Sequence, residues 1–140
     1  MASPQEINIP QKPPMVMVDR VVKITGKTTE TAFMVKEDNV FCEDGRFTEP
    51  GLIENMAQTA AAGAGAALAD TGKEARRGFI GGIRNLKIFD LPAAGREIIT
   101  RATVMHEVFD ATVVQGEVFL DQRLIASCEL KIFALKEQNQ

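Results

Sequence analysis

Two periodicities run through this chain and divide it into strands on either side of one long helix. Val, Ile and Thr recur at short spacing over 18–24 and 29–35, which predicts two strands. Between them "TGK" carries Gly26, suited to a hairpin turn. Upstream, Pro10, Pro13 and Pro14 exclude a regular helix or central strand, so that stretch runs extended or turns. "EDNVFCEDGRF" has the polar, Gly-containing make-up of a loop. From 51 to 71 the chain is Ala- and Gly-rich, and a helix there spans about 30 Å at 1.5 Å per residue. Pro50 fits its first turn and Gly72 its stop.

The remainder is strand-rich: "RRGFIGGIRNLKIFD", "REIITRATVMHEVF", "ATVVQGEVFLD" and "QRLIASCELKIFAL". In the last, Leu124, Ala126, Cys128, Leu130 and Ile132 share one face, with Arg123, Glu129 and Lys131 on the other among Ile125, Ser127 and Phe133. In the second, Ile98, Thr100, Ala102, Val104, His106 and Val108 share an apolar face expected to pack on the helix. Period two with one wet face signals antiparallel sheet, and "DQR" reads as a tight hairpin connection. A helix apolar all round is buried all round or lies in a membrane. The membrane reading fails, because Ala and Gly insert weakly and Glu54, Asn55 and Gln58 interrupt the span. The predicted class is therefore α+β, a curled antiparallel sheet wrapped around one long central helix. Ala60, Ala61, Gly63, Ala64 and Gly65 are expected to let strands approach the helix backbone closely.

Composition narrows the function. With 140 residues, 45% apolar and 25% charged, the expectation is one ordinary domain over 1–140, residues 1–9 being a loose lead-in. A net charge of −3 with no basic block argues against nonspecific nucleic-acid binding. Two cysteines and one histidine make neither a disulfide framework nor a metal site, so no metal and no cofactor is expected. No signal-peptide pattern is present, and a cytoplasmic location is the default. Cys42 precedes "EDGRF" without a visible partner base, and Cys128 falls on the core face of its strand.

The chemistry concentrates where the helix begins. A carboxylate in an apolar helix is disfavoured unless it is hydrogen-bonded or faces a wet cavity. Burial raises its pKa, which suits a proton donor near neutral pH, so Glu54 is the candidate acid. The alternative is that Glu54 caps a neighbouring loop or pairs with an Arg. Gln58 lies one turn on, at i+4, either orienting Glu54 or bonding within the core. The helix N-terminus offers unpaired N–H donors and positive potential to an oxygen gaining charge.

"IPQKPPMVMVDRV" and "GRF…PGLIENMAQ" resemble the two motifs of the hotdog-fold 3-hydroxyacyl-acyl-carrier-protein dehydratases. The second motif leads into that family's central helix, and the element order agrees over nearly the whole chain. The resemblance implies a dimer with acyl-thioester tunnels at the subunit interface; a homodimer or higher oligomer is the expectation, and a heterodimer partner completing the site is the alternative. It implies that a His of one protomer removes the C2 proton while a carboxylate on the partner's helix handles the 3-hydroxyl. Mapped by motif, that carboxylate is Glu54, its neighbour is Gln58, the helix-start amides are Gly51 and Leu52, and Phe47 contacts substrate. The family's catalytic His falls at Arg46, and its N-terminal His at Gln11. Arg76, Arg77 and Arg84 become candidates for steering an acidic carrier protein and its phosphopantetheine arm, or ordinary solvated residues.

Arg is no general base, because its guanidinium stays protonated. Arg46 either binds an anion through its donor fork or pairs with Glu43, Asp44 or Glu49. His106 is either a satisfied core residue or a substitute base. Three readings follow: a dehydratase-type lyase on acyl-carrier-protein thioesters, its base coming from His106, water or another subunit; a thioester hydrolase using Glu54; or a non-catalytic acyl-carrier-binding subunit of a heteromer. The first is the expectation, in fatty-acid or related acyl-chain synthesis.

Overall fold

The computed structural model describes residues 7–68, 71 and 78–135. β1 (Arg20–Thr25) and β2 (Thr28–Met34) form a hairpin closed at Gly26, which adopts a φ of 59°. α1 (Glu49–Ala67) follows two short strands, β3 (Cys42–Glu43) and β4 (Arg46–Phe47). Four longer strands complete the fold: β5 (Gly78–Ile88), β6 (Glu97–Val108), β7 (Ala111–Leu120) and β8 (Arg123–Ala134). The six long strands make one antiparallel sheet in the order β1-β2-β6-β7-β8-β5. That sheet curls over α1, as the sequence pattern predicts.

The helix starts where its chemistry directs. Thr48 takes the cap position with extended backbone, Pro50 sits in the first turn where its missing N–H costs nothing, and Glu49 adds favourable charge there. It ends at Ala67, before the expected stop at Gly72, which lies outside the described residues. The loop expected around "EDGR" contains the β3–β4 hairpin, because Asp44 and Gly45 both take positive φ and close a tight turn.

Inner-face residues form the core: Phe33, Phe47, Leu52, Met56, Ile98 and Leu130 are fully or nearly buried. Phe33 and Phe47 pack with ring centroids 5.6 Å apart. Two bulges break the simple alternation. In β8, Val118 pairs with Ala126 but Phe119 pairs with Leu124, so Ile125 is an extra residue. Ile125 is buried and its carbonyl accepts from Phe89 N–H at 2.8 Å, while Leu124, expected on the core face, is half-buried. In β6, Val104 pairs with Val114 and His106 with Val113, so Met105 is the extra residue.

Two expectations are corrected. The residues 7–9, expected to be loose, are packed: Asn8 Nδ2 donates to Gly65 O at 3.0 Å, and Ile9 joins Val18 and Ala62 in a small apolar cluster. Second, α1 is not covered on every side by its own chain. Leu52, Asn55, Met56, Thr59 and Ala62 face the sheet and are buried, whereas Ala57, Ala60 and Ala61 are half-buried and Ala64 is exposed. Close approach is confined to the glycines: a Cβ on Gly63 would lie 2.2 Å from Thr29 Oγ1, and one on Gly65 1.8 Å from Asn8 O. The alanines instead leave room.

Candidate functional site

That room is a cavity of about 660 Å³ running between α1 and the inner face of the sheet. Glu54, Ala57, Ala61, Ala64 and Leu68 line it from the helix, spaced three or four residues apart and so stacked on one face. From Glu54 to Leu68 this face extends about 21 Å at 1.5 Å per residue. Ala102, Val104, Thr112, Val114 and Ile132 line it from the sheet, and Pro10 and Gln11 from the N-terminal segment. The walls are mainly apolar; Glu54, Gln11, Thr29, Thr112, Lys27 and Glu107 supply polar or charged groups. Its dimensions suit an acyl chain.

Glu54 is half-buried, open to the cavity rather than sealed in a core. Gln58 Nε2 lies 3.4 Å from Glu54 Oε2, a long contact. Its shorter bonds go elsewhere: Nε2 donates to Met15 O at 2.6 Å, and Oε1 accepts from Met17 N–H at 2.6 Å. Gln58 therefore works chiefly as a clamp on residues 15–17, with Glu54 as its third neighbour. Beside it, Asn55 Nδ2 donates to Met17 O at 2.7 Å, and Thr100 Oγ1 donates to Asn55 Oδ1. Thr59 Oγ1 bonds Asn55 O at 2.8 Å and Thr31 Oγ1 at 2.7 Å. Each polar group on the buried face is thus matched, which a low-dielectric interior requires. In the sequence Asn55 stood out only as a polar break in the helix, and Thr31, Thr59 and Thr100 not as partners for it, since their meeting depends on the fold.

The remaining candidates disperse. Phe47 is a core residue, and neither it nor Gly51 nor Leu52 lines the cavity. Leu52 N–H already donates to Thr48 O at 3.1 Å, so this helix-start amide is occupied. A Cβ on Gly51 would lie 2.5 Å from the Phe47 ring, which shows how tightly the helix start is wedged into the core. Arg46 is exposed, away from the cavity lining, and its Nη1 donates to Leu91 O at 2.7 Å. It meets none of Glu43, Asp44 and Glu49 in an ion pair; the backbone carbonyl takes their place.

His106 is corrected too. The Met105 bulge reverses the alternation of β6, so that Glu107, paired with Thr112, reaches the cavity, while His106 is exposed and does not line it. The apolar face expected through His106 and Val108 therefore ends at Val104. Arg84 is exposed on β5, opposite Glu129 of β8. Arg76 and Arg77 lie outside the described residues. Cys42 is half-exposed, its thiol donating to Lys36 O at 3.1 Å, and burial together with Asp38 and Glu37 pushes its pKa up. Burial pushes the Cys128 thiol up to about 11, with Glu129 adding to it. Both cysteines are held in the less reactive thiol form. Among the described residues no cluster of three or more His, Cys, Asp or Glu could hold a metal ion.

Solved structures share this architecture. The dehydratase heterocomplex ApeI:P from Xenorhabdus doucetiae aligns with a TM-score of 0.85 at 17% identity, over 98% of this chain and 94% of that one. A hypothetical thioesterase with coenzyme A from Streptococcus pneumoniae TIGR4 aligns at 0.65 and 9% identity, over 86% and 88%. The E. coli PaaI protein from the phenylacetic acid degradation operon aligns at 0.63 and 11%, over 83% and 78%. The fold is the hotdog fold. No curated protein sequence matches the chain. The family model for ApeP-like proteins, described as ApeP dehydratase, matches residues 3–140. With a curled sheet around one helix and a carboxylate opening onto an acyl-sized cavity, the chain belongs to the ApeP-like dehydratase family.

Proposed function

We propose that this chain supplies the acid half of a 3-hydroxyacyl-thioester dehydratase, and that a second hotdog subunit supplies the base. One observation carries the reading: Glu54 lines the cavity, while the chain's single histidine is turned off it by the Met105 bulge. In the reaction, the base takes the C2 proton and the C2 electron pair forms the C2–C3 double bond. The C3–O bond breaks as protonated Glu54 gives its proton to the departing hydroxyl, which leaves as water. The helix face along Ala57, Ala61 and Ala64 accommodates the acyl chain. The heteromeric character of the ApeI:P dehydratase supports a division of labour between unlike subunits. An acyl carrier protein would deliver the thioester, its acidic surface meeting exposed Arg84 and Lys87 on β5.

Mass spectrometry of 3-hydroxyacyl and enoyl carrier-protein thioesters tests this. The chain alone should leave both unchanged. Co-expressed with a histidine-bearing hotdog dehydratase, it should add or remove one water with the thioester intact, and Glu54→Gln in this chain should slow that exchange at least about 100-fold. Release of free carrier thiol by the chain alone would instead make it a hydrolase. Full turnover by the Glu54→Gln complex would remove Glu54 from the chemistry.

A further inference from the structure

One polar atom of the cavity residues has no use in the chemistry just described. Gln11 Oε1 is buried and has no hydrogen-bond partner, the one such side-chain atom among the described residues. Buried acceptors are nearly always satisfied, and an exception calls for a missing partner. Gln11 lines the same cavity as Glu54. Its segment is fixed on both sides: Asn8 is bonded to Gly65 O at 3.0 Å, and Met15 and Met17 are clamped by Gln58 at 2.6 Å each. A turn from Met15 N–H to Lys12 O, 2.9 Å, follows directly. Gln11 is therefore held over the helix by both flanks, not left on a free end.

An amide oxygen only accepts, so its missing partner must be a donor. The hydrocarbon of an acyl chain has none. A 3-hydroxyacyl thioester has one donor on its acyl part, the 3-hydroxyl, and others in the amide N–H groups of its pantetheine arm. The 3-hydroxyl is also the group that Glu54 must reach. A hydroxyl donates one hydrogen bond and accepts two, so it can donate to Gln11 while accepting from protonated Glu54. The pair of bonds would fix the direction of the C3–O bond. The terminal torsion of a glutamine is broad, so Oε1 swings toward the cavity at small cost.

We propose that Gln11 is a substrate-recognition residue, its amide oxygen accepting a hydrogen bond from the 3-hydroxyl of the acyl chain. This rests on the thioester reading of the cavity. It gives the site a means of telling substrate from product: the enoyl thioester has lost the hydroxyl, and with it the bond to Gln11.

The test compares pantetheine thioesters of one chain length, a 3-hydroxyacyl and a saturated acyl, by calorimetry with the 140-residue chain. The wild type should bind the hydroxyacyl thioester about 3- to 10-fold more tightly, the worth of one ordinary hydrogen bond. Gln11→Met, close in volume but without the acceptor, should lose that preference and bind the saturated thioester as before. Its melting temperature should equal or exceed that of the wild type, since a buried unpaired acceptor has gone. Equal weakening of both ligands would overturn the assignment and place the donor in the pantetheine arm. Absence of any preference in the wild type would overturn it without recourse to a variant. Failure of the wild type to bind either thioester would remove the thioester reading itself, and this assignment with it.

Discussion

Met17 N–H donates to Gln58 Oε1 at 2.6 Å, and neither residue has any exposed surface. This bond ties the N-terminal segment to the helix that carries Glu54, one turn away. The same amide group then donates to Met15 O and lies 3.4 Å from Glu54 Oε2. A single side chain thus joins the segment bearing Gln11 to the cavity wall.

Gln58→Leu keeps the volume and deletes both bonds, stranding the Met17 amide in a dry interior. The expected cost is about 1–3 kcal/mol of folding stability. Denaturant unfolding should show a lower midpoint at unchanged slope, and hydrogen exchange at Met17 should accelerate. A variant as stable as the wild type, with Met17 still protected, would contradict the clamp.

The cavity wall predicts a chain-length cut-off. Ala64 lies ten residues beyond Glu54 on the helix, about 15 Å at 1.5 Å per residue, and its side chain borders the cavity. Ala64→Phe should block acyl chains long enough to reach it and leave shorter ones bound with unchanged affinity. Its folding cost should stay near 0.5 kcal/mol or about that, since Ala64 is exposed and only helix propensity changes. Binding of a series of acyl pantetheine thioesters, read as affinity against length, would show the step. Equal weakening at every length would mean that the chain lies elsewhere.

Acid should expose a contact far from the cavity. The Arg123 guanidinium, 3.1 Å from Asp90, holds the Asp90 carboxyl below its usual range, and Leu91 N–H adds to this. A carboxyl with a depressed folded pKa contributes stability above its unfolded pKa, about 3.9, and loses it as pH falls through the folded value. Wild type should therefore exceed Asp90→Asn in stability at neutral pH, and the gap should close in acid. Thermal melts of both proteins from neutral to strongly acidic pH would read it, and high salt should shrink the gap, because the pair is open to water.

Much of this fold could be read from residue pattern because burial has a period. The alternation in β7 and β8, the turn at Gly26 and the Pro50 helix start all encode locally what the structure does. Glu54 was visible for the same reason, as a charge in an apolar run, and the structure opens it onto the cavity. Other features depend on distant partners. Arg46 was a loop cation until Leu91 O placed it, and Asn55 was one more polar residue until Met17 and Thr100 met it. The open face of α1 was hidden because alanine serves a buried face and a half-exposed one equally well. The displaced residues in β6 and β8 follow from bulges, and nothing in "TVMHEV" or "RLIASC" marks where an extra residue is accommodated.

The Met105 bulge leaves a second register one residue away from the one the strand adopts. A strand's two faces behave like a two-letter reading frame, and one inserted residue shifts every position after it. Were Met105 paired with Val113 instead of bulged out, His106 would stand opposite Thr112 on the cavity side and Glu107 would leave it. A one-residue slip of this strand beyond Val104 therefore exchanges a carboxylate for an imidazole at the cavity wall without touching the core.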